Sequence, residues 1–389
     1  MARHHRRRAT GKNLQILNYT NYGRLWRVYG KSVLRYGTPR KVWNALRTEW
    51  AYRRRHVNVP SQPYVLFIEP IYYCNLRCPL CPREKSPDAR SDDKSRLPLD
   101  LLERIFDEIG HSLFQCQIFG NGEPMLDWPR TRAVIESAHR RRIFTLVSTN
   151  CTIMTPKIAE EVVTSGLDYL ICAIDGTTQA SYEKYRVGGK VDRAMAGMRM
   201  LVDAARRTKG GISLEWQFLV HHYNHHEMDD ARRIAKELGV FLRFSPIGGI
   251  GEDTSTQETW LAPTPDWQQN KETPGQPLHD YPCYWLWRSL VINSNGNLAR
   301  CPGFSNIAQM ASLHENSIMS VYNGPQSQRA RQLFGKQAPP AGEYPSPCID
   351  CTFYPHHRPA GRETAKRVSL TIASEVRARS TEDSVATVH

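Results

Sequence analysis

Residues 64–81 read YVLFIEPIYYCNLRCPLC, and two signals meet there. Tyr64–Ile71 is an apolar, aromatic and β-branched run that reads as a strand. Cys74, Cys78 and Cys81 follow it directly, with the spacing CxxxCxxC. Working outward, similar runs recur at Phe114–Phe119, Ile143–Val147, Tyr169–Ile174, Leu214–Val220 and Phe241–Phe244. Helical periodicity separates them at Leu101–Ile109, Arg130–Arg140, Pro156–Ser165, Asp192–Ala205 and His225–Leu238. The last of these carries a start signal, with Asn224 as expected N-cap and Glu227 three residues on. Six strand–helix units predict an α/β fold with a parallel sheet, either doubly wound or a partial (β/α)6 barrel. Both architectures gather their chemistry at the C-terminal ends of the strands, and the cysteine triplet falls at such an end.

Zinc sites and ordinary [4Fe–4S] sites take four protein ligands, whereas three closely spaced thiolates leave one cluster iron open for a substrate. The triplet alone also allows a zinc knuckle completed by a distant fourth ligand.

The CxxxCxxC spacing resembles that of the radical S-adenosylmethionine (SAM) superfamily, and the resemblance continues along the chain. Gly122-Glu123-Pro124, after the second strand, is similar to the family's GGEP-type motif, with Asn121 in place of its first Gly. Ser148-Thr149-Asn150, after the third, is similar to the segment that meets the ribose hydroxyls. Ala173-Ile174-Asp175-Gly176, after the fourth, resembles the SxDG segment, with Ala173 replacing its Ser. The resemblance implies a [4Fe–4S] cluster on Cys74, Cys78 and Cys81 whose free iron chelates SAM. It further implies that Leu80 packs near the adenine, that Glu123 contacts the SAM amino group, that Ser148 and Asn150 meet the ribose, and that Arg186 binds the SAM carboxylate. An electron from such a cluster splits SAM to a 5′-deoxyadenosyl radical, which abstracts hydrogen from the substrate. Singly each short motif is also an ordinary turn or helix start; a zinc site predicts no such order along successive strands.

A second set, Cys283, Cys301 and the Cys348-Ile-Asp-Cys351 pair, supplies four further thiols, enough for a [4Fe–4S] cluster or a zinc site. Its CxnGx4C…CxxC pattern resembles the SPASM/twitch extensions of radical SAM enzymes, in the one-cluster form seen in dehydrogenases of aminoglycoside biosynthesis. The resemblance implies an auxiliary [4Fe–4S] cluster with an electron-transfer role. The fold expected is thus a partial (β/α)6 radical SAM barrel with a small C-terminal Fe–S domain.

The charge of the chain is +14, and residues 1–60, with 15 Lys and Arg against the single acid Glu49, account for all of it. Basicity therefore belongs to an extension, and nucleic-acid binding by the site is not expected. No apolar run suits a membrane span or signal peptide, so a cytoplasmic protein is expected, and its ten cysteines are read as reduced. Cys116, Cys151 and Cys172, alone in apolar runs, are expected in the core. The organisation expected is a basic, partly helical extension (1–60), a barrel (61–247), a linker (248–280), an auxiliary Fe–S domain (281–356) and a polar tail (357–389).

Val42, Trp43, Leu46 and Trp50 line one side of a basic helix in the extension. It is expected to pack on the barrel with its charges in water, rather than to lie on an anionic membrane. The His221–His226 segment is expected to be a solvated strand-to-helix loop rather than a metal site. Gln217 faces either the barrel interior or a helix. The expected activity is a radical SAM oxidoreductase, oxidising an alcohol or epimerising a carbon of a small polar molecule such as a sugar or aminocyclitol. A flavodoxin- or ferredoxin-type donor would supply its electron. A peptide- or protein-modifying maturase and a non-catalytic zinc module are the alternatives.

Overall fold

A computed structural model describes residues 26, 30–85, 96–208, 211–247, 254–263, 282–302, 309–335 and 348. The six expected strands form as β1 (Val65–Ile68), β2 (Gln115–Ile118), β3 (Phe144–Thr149), β4 (Tyr169–Ala173), β5 (Ser213–Val220) and β6 (Phe241–Pro246). They pair in parallel, each with its neighbour in sequence. A doubly wound sheet would reverse its strand order at a switch point. This uninterrupted order is that of a partial barrel.

The intervening helices have one apolar stripe each. α3 (Leu99–Ile109) buries Leu101, Leu102, Ile105, Phe106 and Ile109; each such side chain contributes about 1.5–3 kcal/mol relative to exposure. α4 (Trp128–Arg140), α5 (Pro156–Thr164), α6 (Gln179–Tyr185), α7 (Val191–Thr208) and α8 (Met228–Leu238) complete the outer layer. Thr155 caps α5 and Thr178 caps α6 through their hydroxyls. Cys116, Cys151 and Cys172 are fully buried in the core, as expected.

The C-terminal hairpin extends the same sheet. β7 (Ser289–Ile292) runs parallel to β1, with Val65 opposite Ser289; β8 (Asn297–Ala299) pairs antiparallel with β7, and β9 (Gln309–Ser312) antiparallel with β8. Gly296, at φ 78°, makes the turn between β7 and β8, a backbone conformation that side chains disfavour.

Three expectations need correcting. The segment 248–280 includes a helix, α9 (Thr254–Trp260), whose Trp260 is buried against Tyr185. Residues 248–253 and 264–280, like the tail 357–389 and most of residues 1–29, lie outside the described residues. Asn224 and Glu227 form no capping box: Asn224 Nδ2 donates to the Asp175 and Leu219 carbonyls, and Glu227 accepts from Thr177 and Thr178.

The extension helix is also turned over. α1 (Lys31–Tyr36) and α2 (Pro39–Arg54) lie across the N-terminal ends of the strands. Tyr36 packs among the interior residues Phe144, Leu146, Tyr169 and Ile171, and donates to Asp168 just before β4. α2 is held through Lys41, Thr48, Ala51 and Tyr52, with Lys41 Nζ donating to the Arg141 and Arg142 carbonyls. Burial lowers that ammonium to about 8. Val42, Trp43, Leu46 and Trp50 consequently face outward, because polar contacts with the barrel rim, rather than the apolar stripe, set the rotation of the helix.

Candidate active site

The C-terminal ends of β1–β5 converge on the loop that carries the triplet. Cys74, Cys78 and Cys81 share an apolar cluster with Leu76, Leu80, Tyr185, Ile247 and Trp260. Cys78 is buried, while Cys74 and Cys81 keep an exposed side. Burial pushes all three thiols up, Cys74 to about 12 with the Glu123 carboxylate adding to the effect. Among the described residues no three His, Cys, Asp or Glu side chains converge on a single ion; thiols that hold a four-iron cube stand farther apart.

Glu123 follows β2 and is buried. Its Oε1 accepts from Thr149 Oγ1 at 2.7 Å and Met125 N at 3.0 Å, and its Oε2 accepts from Asn150 N at 2.7 Å. Burial raises this carboxyl, and those hydrogen bonds with the charge of Arg186 pull it back. A carboxylate has about four acceptor sites, so a cationic donor could still be received. Gly122 is required by close approach, since a Cβ there would lie 2.1 Å from the Ile71 carbonyl oxygen. Asn121 explains its departure from glycine: its backbone N and its Nδ2 both donate to Glu69 Oε1, at 2.7 and 3.2 Å. Glu69, buried at the end of β1, also accepts from Ser294 after β7, so it ties the hairpin to the cysteine loop.

Asn150 donates through Nδ2 to Asn75 Oδ1 at 3.0 Å and lies 3.9 Å from Cys74 Sγ. Ser148 is half-buried. Its neighbours Val147 and Thr149 are buried on the opposite face, which leaves its hydroxyl on the barrel's interior face. Arg186, just after α6, donates through Nε to Asp175 Oδ2 at 2.6 Å and through a terminal nitrogen to Cys78 Sγ at 3.8 Å. Burial works against its charge, and Asp175 and Cys78 more than offset that cost. Leu80, Glu123, Asn150 and Arg186 thus lie beside the triplet, and Ser148 faces the barrel interior near the end of β3. With Glu123 on one side and Arg186 on the other, the site presents one charge of each sign, which suits a zwitterionic amino-acid head.

Asp175 and Glu69 were not singled out from the sequence as site residues; for Asp175 the Asp-Gly step of the SxDG segment was the available signal. Gln217 lies in β5 between Trp216 and Phe218, both fully buried toward the helices, and so it faces the interior. Glu215, on the same face, accepts from Tyr169 and from Arg243. His221 corrects the solvated-loop expectation: it is fully buried between Tyr185, Trp260 and Tyr223.

At the auxiliary set, Cys348 is buried in the main core and Cys283 packs against it. Cys348 and Cys301 both lie close enough to Arg300 to favour its charge, which burial otherwise disfavours. Cys351 lies outside the described residues. Cys301 and Cys348 therefore both lie near Arg300, just after β8, while Cys283 packs against the core, and thiols are the donors that an iron–sulfur cluster takes.

A model of the radical SAM superfamily matches residues 68–243, and a model of the SPASM iron–sulfur cluster-binding domain matches residues 283–352. Among curated proteins, an AdoMet-dependent heme synthase of Nitratidesulfovibrio vulgaris is 28% identical over 172 residues, 43% of either chain. Mycofactocin maturase MftC of Mycobacterium tuberculosis is 26% identical over 212 residues, 53% of this chain and 50% of the relative. The chain thus spans about half or less of the curated relatives it matches. Among solved structures, Streptococcus suis SuiB bound to S-adenosylmethionine superposes with a TM-score of 0.54 at 16% identity, covering 75% of this chain and 71% of that one. That likeness is one of fold. No helix among the described residues is long and apolar enough to cross a membrane. With SAM and two [4Fe–4S] clusters as the cofactors implied by its two matched domains, the chain carries a radical SAM domain and a C-terminal SPASM iron–sulfur domain.

Proposed function

We propose that the chain is a radical SAM oxidoreductase acting on a small polar molecule bound inside the barrel. In this reading Cys74, Cys78 and Cys81 hold the SAM-binding cluster, and Cys283, Cys301, Cys348 and Cys351 hold the auxiliary one. Bound there, the cofactors supply reductive cleavage of SAM to a 5′-deoxyadenosyl radical, hydrogen abstraction from the substrate, and a place for the second electron of an alcohol oxidation.

The residues of the chain do the rest. Glu123 would receive the SAM ammonium, Arg186 its carboxylate, Ser148 and Asn150 the ribose hydroxyls, and Leu80 the adenine face. Asp175 holds Arg186 in place, and Trp260 and Tyr185 pack in one apolar cluster with the thiols. The boundaries 61–247 and 281–356 are proposed for the two catalytic units, with electrons delivered by a flavodoxin- or ferredoxin-type protein in the cytoplasm.

The observation that carries the substrate class is the polar interior face next to the site. Gln117, Ser148, Gln217, Arg243 and Ser245 share it, and the last four are only half-buried. Arg243 is paired with Glu215 and Ser245, and Gln117 with Gln115; a carbohydrate or aminocyclitol presents hydroxyl and amino groups that Ser148 and Gln217 can pair, whereas an apolar guest does not. A peptide-modifying maturase is the second reading, supported by the match to mycofactocin maturase over half of the chain.

The experiment is label transfer. Reduced enzyme is given SAM and candidate substrates deuterated at carbon, and 5′-deoxyadenosine is analysed by mass. Deuterium from a carbinol carbon, with a carbonyl product, supports oxidation of a small molecule. Transfer only from a peptide Cα or Cβ would replace it with the maturase reading.

A further inference from the structure

We propose that the outward face of α1 and α2 is a docking surface for an anionic lipid membrane. The face exists because α2 is held to the barrel by its polar side. Val42, Trp43, Leu46 and Trp50 are left in water, with Trp43 64% and Leu46 57% exposed. On α1, Val33 continues the patch at 48% exposure. A groove between the two helices, floored by Gly37, Thr38 and Pro39, joins them. Soluble proteins rarely leave so many large apolar side chains together in water without a partner for them.

Charge selects the partner. At about 100° per residue, the four apolar positions of α2 fall within an arc of about 100°, and Arg40, Arg47 and Arg54 follow within about the next 60°. All three arginines are exposed. The one acid of residues 1–60, Glu49, borders the opposite edge of the arc, about 20° beyond Val42, and its charge is neutralised there: it pairs with Arg288 at 2.6 Å and accepts from Tyr64. The exposed arc is thus apolar, with a cationic margin on one edge and a neutralised acid on the other, a composition that suits a helix lying in the plane of an anionic membrane interface. Acidic headgroups would receive the arginines while the tryptophans and Leu46 enter the boundary below them. A second copy joined through the same face would bring like charges together. A nucleic acid would satisfy the arginines and leave Val33, Val42 and Leu46 in water.

The geometry makes such docking compatible with catalysis. α1 and α2 cross the N-terminal ends of the strands, whereas the cysteine triplet lies at their C-terminal ends. A protein seated on this face would hold its site away from the lipid.

The test is flotation of the full, cofactor-loaded chain with vesicles of phosphatidylcholine, alone or mixed with phosphatidylglycerol. Expected is about tenfold or greater enrichment on the anionic vesicles, falling at high salt where surface charge is screened. The variant W43S/L46S/W50S is expected to lose the enrichment while retaining its circular dichroism and SAM cleavage, since all three side chains are exposed. A second variant, R40Q/R47Q/R54Q, should lose the salt-sensitive part and keep its fold. The proposal is overturned by failure to float with anionic vesicles, or by flotation that survives both variants. It is equally overturned if W43S/L46S/W50S only dissolves a dimer seen by sedimentation, or abolishes binding to nucleic acid rather than to vesicles.

Discussion

Arg186 reaches Asp175 and Cys78 at once, with Nε 2.6 Å from the Asp175 carboxylate and a terminal nitrogen 3.8 Å from the Cys78 sulfur. Asp175 is fully buried and also accepts from Leu219 N at 2.7 Å, so one carboxylate fixes β5 and the guanidinium together. A rigid fork so placed meets a carboxylate in two parallel bonds without first losing side-chain freedom.

Asp175→Asn keeps the shape and the acceptor for Leu219 N but removes the charge. It leaves Arg186 buried without its counterion, for which a loss of about 3–5 kcal/mol is typical. The expected outcome is a lower urea midpoint and at least about a tenfold higher KM for SAM. Unchanged values in both measurements would show that the pair does not position Arg186.

Gly122 makes a sharper claim about backbone. The Cβ of Gly122→Ala would meet the Ile71 carbonyl oxygen at 2.1 Å, a backbone atom in the strand-to-cysteine connection, so that connection must shift. Gly211 has nothing within 4 Å of its own Cβ position. Gly122→Ala is expected to lower iron content and SAM cleavage several-fold, and Gly211→Ala to leave both within error.

These contacts also mark where the sequence could be read and where it could not. The six strands were legible because each is a short apolar run between helical periods, and the site because its motifs fall in order at successive strand ends. The joining of β7 to β1 had no local signal: Val65 and Ser289 are paired through a register that no neighbouring residue encodes. Asn224 and Glu227 carry a sound capping pattern, yet Thr177 and Thr178 take the Glu227 carboxylate, and His221 N takes the Asn224 amide oxygen that a cap would offer. The rotation of α2 was misread for a related reason. An apolar stripe normally points inward, but here Lys41 and Thr48 find buried acceptors that hold the opposite side down.

The two cysteine sets are expected to separate in the test tube. Each [4Fe–4S] cluster carries about four irons. Cys74→Ala should remove about four irons per chain and abolish SAM cleavage. Cys348→Ala should remove about four as well, retain SAM cleavage, and stop formation of the oxidised product. Iron and sulfide analysis with 5′-deoxyadenosine assay checks both. Full iron in Cys348→Ala, or zinc in its place, would end the assignment of the second set to a cluster.

His221 carries the pH dependence that can be signed. Its ring is fully buried among Tyr185, Trp260 and Tyr223, its Nδ1 accepts from Tyr223 N, and its Nε2 has no partner among the described residues. Burial first, and then the charge of Arg186, lowers it from 6.5 to about 3. Between those values the unfolded chain binds a proton that the folded chain refuses. Stability from this group is therefore complete above about pH 6.5 and is lost as the pH falls toward 3, at up to about 1.4 kcal/mol per pH unit. His221→Phe removes the titrating group and keeps an aromatic ring in the cluster. Between pH 7 and pH 5 it is expected to lose about 2 kcal/mol less stability than the parent chain, measured by urea unfolding at both values. Equal losses in the two proteins would mean that His221 takes up its proton without unfolding, and that the cluster around it is open to water.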